Sequence, residues 1–278
     1  ADVRGGGVCA LPAVSGLRTG IRRRVSTIKR QVKKALSALD VQIARRPGGF
    51  IAARLPDAAP PLDREVLNGA LRNMKHLGLN PSVVIDVGAA YGTGALYGNF
   101  PKAHHLLIEP LEEFRPKLEE IAGRLGSAEV VIGLVGPEEG TGTLHVHPDL
   151  VGSSTLLEGE DSGVNGEPRE VPMHTIDGLL SGRSGDCLLK IDTQGAELLV
   201  LAGAEKVLDR CAAVVLEVSF IRFFDGGPIA HEVVAYMAER GFVVYDVVDA
   251  QHRPLDHALS QVDMIFVPES SPLLDETA

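Results

Sequence analysis

Residues 83–94, VVIDVGAAYGTG, decide the fold. Val83, Val84, Ile85 and Val87 are β-branched and apolar, the pattern of a central strand buried on both faces. The side chains then shrink. Gly88, Ala89, Ala90, Gly92 and Gly94 leave a bare backbone that a ligand can approach and from which a helix can start close to the sheet. Asp86 precedes that turn at the carboxyl end of the strand, where open α/β sheets hold their ligands.

A second short strand is predicted over 105–108, ending in Glu109 and Pro110. A βαβ unit of this length brings that carboxylate beside the first turn, where it can accept two hydroxyl hydrogens from a ribose. The expected ligand therefore contains a nucleoside. A dinucleotide fold would carry G-x-G-x-x-G, which is missing here. An acid followed by Gly-Ala-Ala-Tyr-Gly is instead similar to the first motif of class I S-adenosylmethionine methyltransferases.

At 278 residues, with 45% hydrophobic and 23% charged residues, the chain can bury a large core and reads as globular. No apolar run approaches the ~20 residues that span a bilayer. Nothing ahead of the basic stretch reads as the apolar core of a secretory signal. Cys9, Cys187 and Cys211 form no C-x-x-C pair, and Cys187 and Cys211 sit in apolar runs that suit buried thiols. The expected compartment is the reducing cytoplasm. The net charge of −10 conceals an asymmetry: residues 1–46 carry 11 Lys and Arg against 2 Asp, a balance of +9, leaving −19 for the rest. A body this acidic is a poor nucleic-acid binder, because phosphate attachment relies on Lys and Arg.

In chain order, apolar residues at spacings of three and four predict an amphipathic helix over 21–43, with a basic wet side. Such a helix docks on the body or serves as a peripheral membrane or partner contact. Pro47-Gly48-Gly49 closes it, residues 55–61 form a stiff connector, and a helix is predicted over 62–77. This divides the chain into a basic extension and linker, 1–61, and a domain, 62–278. Further helices are predicted over 111–125, starting late because of Pro116, and over 196–208 and 231–240. Strands are predicted over 130–135, 186–191, 213–218, 242–248 and 262–267. Two alternating segments, 140–147 and 170–176, flank a Gly, Ser and acid-rich loop, 152–168, and predict an antiparallel insertion that shapes the site.

With these pieces in place, residues 71–268 resemble the FkbM family of methyltransferases. The resemblance is carried by Ile85-Asp86-Val87-Gly88-Ala89 with Gly92, by Glu109-Pro110, and by Ser153-Ser154-Thr155-Leu156. Thr175-Ile176-Asp177 and Leu216-Glu217-Val218 add to it, and the most specific block is Leu189 to Glu197 followed by Leu201-Ala202-Gly203-Ala204. Ala90 stands where the family usually has Asn. The resemblance implies an α/β class I, Rossmann-like fold. That fold has a seven-stranded, mostly parallel sheet with helices on both faces, here with the antiparallel insertion and the N-terminal helical extension. It also implies methyl transfer from S-adenosylmethionine to a hydroxyl of a sugar, glycolipid or polyketide-type product.

For that cofactor the expected contacts are Asp86, Gly88, Ala89, Ala90, Tyr91, Gly92, Glu109, Pro110 and Ser154, with Tyr91 offering its ring face to the sulfonium. An alcohol must lose a proton, so a base is needed. Asp192, ending a strand at the nucleotide crevice, is the first candidate; its plainer role is to cap the next helix. His174, with His145 and His147, is the other source of a base. Glu217 ends the adjacent strand and can pair with Asp192; a divalent cation between them is a lesser possibility, and no His-rich ligand spacing supports a metal site. The competing function is a catalytically degenerate cofactor-binding module that scaffolds a biosynthetic partner.

Overall fold

The computed structural model describes residues 41–46, 49–54, 65–158 and 165–275. Two units emerge, divided between Pro60 and Pro61. The first contains an antiparallel hairpin of β1 (Val41–Arg46) and β2 (Gly49–Arg54), in which Arg46 pairs with Gly49. This corrects the end of the helix expected over 21–43, whose other residues lie outside the described ones. Val41 and Ile43 also alternate with period two, and Pro47-Gly48 between two short runs is a hairpin signal that the helical stripe masked.

The second unit is built on a seven-stranded sheet. Helix α1 (Leu67–His76) starts later than the expected 62, where Asp249 Oδ2 accepts from Leu67 N–H at 2.8 Å. Strand β3 (Val83–Val87) follows and all five of its residues are buried, as a strand covered on both faces requires. Next come α2 (Gly94–Asn99), β4 (His104–Glu109), α3 (Arg115–Ala122) with Pro116 in its first turn, and β5 (Ala128–Ile132). The run expected as one strand over 130–135 breaks at Gly133. A Cβ there would lie 2.9 Å from the His174 ring and 3.0 Å from Pro172 O, so the backbone passes too close for a side chain. Its continuation, β6 (Leu134–Val135), joins β7 (Gly140–Val146) and β8 (Glu167–His174) in a separate three-stranded sheet. β7 and β8 pair antiparallel, as the alternating insertion predicted.

After a short α4 (Ile176–Leu179), the chain returns to the main sheet with β9 (Cys187–Ile191). The helix expected over 196–208 is two short ones, α5 (Glu197–Ala202) and α6 (Glu205–Leu208). They part at Gly203, where a Cβ would stand 2.0 Å from the Gly136 carbonyl oxygen. Then follow β10 (Cys211–Ser219), α7 (Ala230–Ala238), β11 (Phe242–His252) and β12 (Leu259–Pro268).

The sheet order is β11-β12-β10-β9-β3-β4-β5, parallel except that β12 runs antiparallel to both its neighbours. This is the class I methyltransferase form of the Rossmann-like fold. Side chains of one face pack on α5, α6 and α7, and those of the other on α1, α2 and α3. The chain leaves β3 toward β4 and β5, then comes back to β9 on its other side. The order therefore reverses at β3, and the crevice beyond the carboxyl ends of β3, β4 and β9 is where such a sheet binds a ligand.

Candidate active site

A cavity of about 100 Å³ lies in that crevice. Its lining is apolar at Ile108, Phe114, Leu134, Leu144 and Leu150 and polar at Glu109, Asp192 and Gln194, with Gly88 and Ala90 contributing as well. The insertion gives Leu150, Val151, Ser153 and Thr155 to its wall. Thr155 belongs to that wall, and its Oγ1 is buried without a hydrogen-bond partner among the described residues.

The turn after β3 is held from beneath. Asp86 is fully buried and accepts from Thr93 N–H at 3.2 Å, from Thr93 Oγ1 at 3.0 Å and from the Tyr97 hydroxyl. It braces the turn and does not line the cavity, contrary to its expected place at the mouth. Gly88 has φ +74°, and a Cβ on it would sit 1.8 Å from the Asp192 carbonyl oxygen. Ala89 is buried in the core, and both Gly88 and Ala89 N–H groups bond Ile108 O. Ala90, at φ +42°, donates its N–H to Glu109 Oε2 at 2.9 Å, in a backbone region that Asn and Gly occupy at least cost. Tyr91 stands 62% exposed with its ring edge-to-face on Phe114 at 4.9 Å, and Gly92 turns tightly beside Ile121; neither reaches the cavity.

Glu109 and Pro110 do line it. Glu109 Oε1 also accepts from Leu111 N–H at 3.0 Å, so two backbone donors fix the carboxylate while it faces the cleft. Burial pushes its carboxyl up to about 6, against the pull of those donors. Ser154 is buried and donates to Gln194 O at 2.7 Å while accepting from Leu156 N–H, pinning the insertion to the turn after β9. It does not line the cavity, whereas its neighbour Ser153 does.

Asp192 Oδ2 accepts from Lys190 Nζ at 2.8 Å and Oδ1 from Gln194 Nε2 at 3.2 Å, and of the two acids expected together Asp192 lines the cavity whereas Glu217 does not. Lys190 is buried. Burial opposes its charge, but the surrounding Asp192, Asp86 and Asp263 carboxylates outweigh that and hold its ammonium above the ordinary lysine range. Glu217 Oε2 accepts from Gln194 Nε2 at 3.0 Å and from Gln261 Nε2 at 3.1 Å. Burial, then the charges of Asp192 and Glu197, push its carboxyl up to about 8, with Lys190 pulling the other way and Asp263 adding to the rise. The expected neighbourhood of Asp192 and Glu217 is therefore present, but bridged by Gln194. The helix-capping role weighed for Asp192 falls instead to Glu197, whose Oε1 takes the N–H groups of Thr193 and Gly195.

His174 ends β8 in register with Val135, and its Nδ1 lies 3.2 Å from Glu139 Oε2, outside the cavity wall. The insertion sheet that was expected to present it to the acceptor instead uses it to hold Glu139, which also accepts from Thr175 N–H at 2.7 Å. Among the described residues no group of three or more His, Cys, Asp or Glu side chains is placed to hold a metal ion, and no helix is long and apolar enough to cross a membrane.

The raised Glu217 gives a pH-dependent prediction. A carboxyl held above its unfolded value favours the folded state fully below about 4.5, and that contribution is lost as pH rises through about 8. Glu217→Gln is therefore expected to melt about 5 °C or more above the wild type at pH 9 and level with it or below at pH 5. Differential scanning calorimetry at the two pH values checks this; the same displacement at both would contradict a buried titrating Glu217.

Residues 86–244, which span the turn, both strand-end acids and the insertion, match the methyltransferase FkbM domain. The chain belongs to the FkbM methyltransferase family. With the family come S-adenosylmethionine as methyl donor and the activity of a methyltransferase. No curated protein matches this FkbM chain. Among solved structures it is similar to a 1,6-didemethyltoxoflavin-N1-methyltransferase of Burkholderia thailandensis, at 14% identity over 94% of this chain and 93% of that one, TM-score 0.38. Magnesium protoporphyrin IX methyltransferase of Synechocystis PCC 6803 is 13% identical over 73% and 76%, TM-score 0.37. A precorrin-6y C5,15-methyltransferase of Geobacter metallireducens is 12% identical over 72% and 86%, TM-score 0.39. None of these likenesses says what the FkbM chain acts on.

The FkbM chain's residues fit the donor. An acceptor-only carboxylate, Glu109, faces the cleft where ribose hydroxyls need one, apolar lining that includes Phe114 suits a base, and the Thr155 hydroxyl is left with hydrogen-bonding capacity to spend. Phe114, Leu134, Leu144, Leu150, Thr155 and Gln194 join the expected residues in the lining. Gln194 sits inside the Asp192-Thr193-Gln194-Gly195 turn, so its position was visible although its role was not.

Proposed function

We propose that this enzyme methylates a hydroxyl of a small or lipid-linked natural product, of sugar, glycolipid or polyketide type, with Asp192 as the general base. The observation that carries the reading is Asp192 itself: a carboxylate at the end of β9, lining the same cavity as Glu109 and fixed by Lys190 and Gln194. When bound, S-adenosylmethionine supplies an electrophilic methyl group on a sulfonium that leaves as a neutral thioether. The protein's tasks are then alignment, exclusion of water and removal of the hydroxyl proton. Lys190 and the Gln194 amide fix the direction of the Asp192 carboxylate.

The acidic body favours a small-molecule acceptor over RNA or DNA. The test is mass spectrometry of a metabolite extract incubated with enzyme and trideuteromethyl donor: hydroxylated compounds that gain the label support the proposal, and label found only on amines rejects it. The donor end makes its own prediction. Glu109→Gln keeps the shape but loses the acceptor-only carboxylate, and is expected to weaken S-adenosylhomocysteine binding about tenfold or more by isothermal titration. Unchanged affinity would remove Glu109 from the donor site.

A further inference from the structure

We infer that Gln194 is a positioning residue: its side-chain amide holds the Glu217 carboxyl group, which does not line the cavity, to Asp192, which does. The inference rests on the reading of Asp192 as base. A single nitrogen, Nε2, lies 3.2 Å from Asp192 Oδ1 and 3.0 Å from Glu217 Oε2, so its two hydrogens are divided between the two groups. The backbone reveals how firmly that nitrogen is placed. Gln194 has φ +54°, a left-handed conformation unfavourable for a non-glycine residue, and Ser154 Oγ fixes it by donating to Gln194 O at 2.7 Å. The next residue, Gly195, is left-handed too, at φ +94°. A glycine would meet the backbone requirement at 194 more cheaply; only the side chain favours glutamine.

The pair has different surroundings on its two sides. Asp192 is ion-paired to Lys190, whereas Glu217 takes a second amide donor, Gln261 of β12, at 3.1 Å. The charged groups acting on Glu217 are Asp192 and Lys190 from β9, Glu197 from α5 and Asp263 from β12, with Asp249 of β11 acting on Asp263. Burial and these charges favour the protonated Glu217 carboxyl, while Lys190 Nζ contacts Asp192 Oδ2 at 2.8 Å. With Asp192 read as the base, Glu217 acts on it through Gln194 and not on the acceptor directly. Because Ser154 belongs to the insertion, the loop that walls the cavity also sets where the amide stands.

The test needs no acceptor. The full chain, saturated with S-adenosylhomocysteine, is labelled with 13C at glutamate carboxyls, and the Glu217 titration midpoint is followed by NMR. Asp192→Asn removes a neighbouring charge and is expected to lower that midpoint by about one pH unit or more. In Gln194→Met, and in Gln194→Gly, which suits the left-handed backbone, the same Asp192→Asn change is expected to move it less than half as far. In Gln261→Met the full shift is expected to persist. An undiminished shift in both Gln194 variants overturns the inference. So does a tenfold loss of S-adenosylhomocysteine affinity in both, which would mean that Gln194 serves the turn rather than the pair. Failure of the wild type itself to bind S-adenosylhomocysteine would instead remove the donor site on which the whole reading rests.

Discussion

Gly88→Ala is expected to abolish S-adenosylhomocysteine binding and to destabilise the body by about 3 kcal/mol or more. The added Cβ would stand 1.8 Å from the Asp192 carbonyl oxygen and 2.9 Å from its carbon. Both are main-chain atoms, held where Asp192 N–H bonds Val87 O at 3.0 Å, so no flexible side chain can give way. The φ of +74° adds strain to the clash. Relief requires β3 and β9 to part at the crevice, which would separate Glu109 and Ala90 from Asp192. Gly94→Ala is the control. Its Cβ would meet nothing within 4 Å at the start of α2, and the substitution is expected to be neutral or slightly stabilising. Thermal melts and calorimetric titration of both variants check the pair of expectations; a Gly88→Ala protein that melts and binds like the wild type would contradict the close approach.

The strand and bare turn at 83–94 were legible because burial on both faces and lost side chains leave direct marks in residue type. The reason for the first glycine was not legible. The sequence suggested a ligand approaching Gly88, which does line the cavity; the Asp192 backbone, which approaches it too, left no mark in residue type. Asp86 shows the same limit. Its position at the strand end was read correctly, but on β3 it points to the face holding Tyr97 and Thr93, which bind it beneath the turn. Alternation decides such a question only when the facing residues are known, and Tyr97 is eleven positions away in the sequence. The run over 130–135 looked like one strand since apolar continuity does not reveal which sheet each half joins; Gly133 was the mark of the break. His174 looked like a candidate base because of its chemistry, and Glu139, 35 residues earlier, occupies it. Gln194 carries no charge to mark it in the sequence, though its amide joins the Asp192 and Glu217 carboxyl groups.

Asp192→Asn is expected to lower methyl transfer at least 100-fold while leaving S-adenosylhomocysteine affinity within about twofold. General-base catalysis typically contributes 10²–10⁴ in rate, and an amide of the same shape cannot take the proton. The change should not cost the fold. Lys190 loses its 2.8 Å partner, yet Asp86 and Asp263 remain as carboxylates acting on it, and Asn Oδ1 can still accept from an ammonium or from Gln194. Loss of the donor site would therefore have to come through Gly88, which touches the Asp192 backbone and not its side chain. The measurement is transfer of a radiolabelled methyl group into whichever extract fraction the wild type labels, run beside calorimetry. A loss below fivefold, with affinity intact, would take the proton away from Asp192 and favour an acceptor that needs no strong base, such as an amine. A collapse of affinity together with rate would make Asp192 part of the donor site. A rate loss with unchanged affinity is the pattern a base alone produces, since the proton it removes belongs to the acceptor.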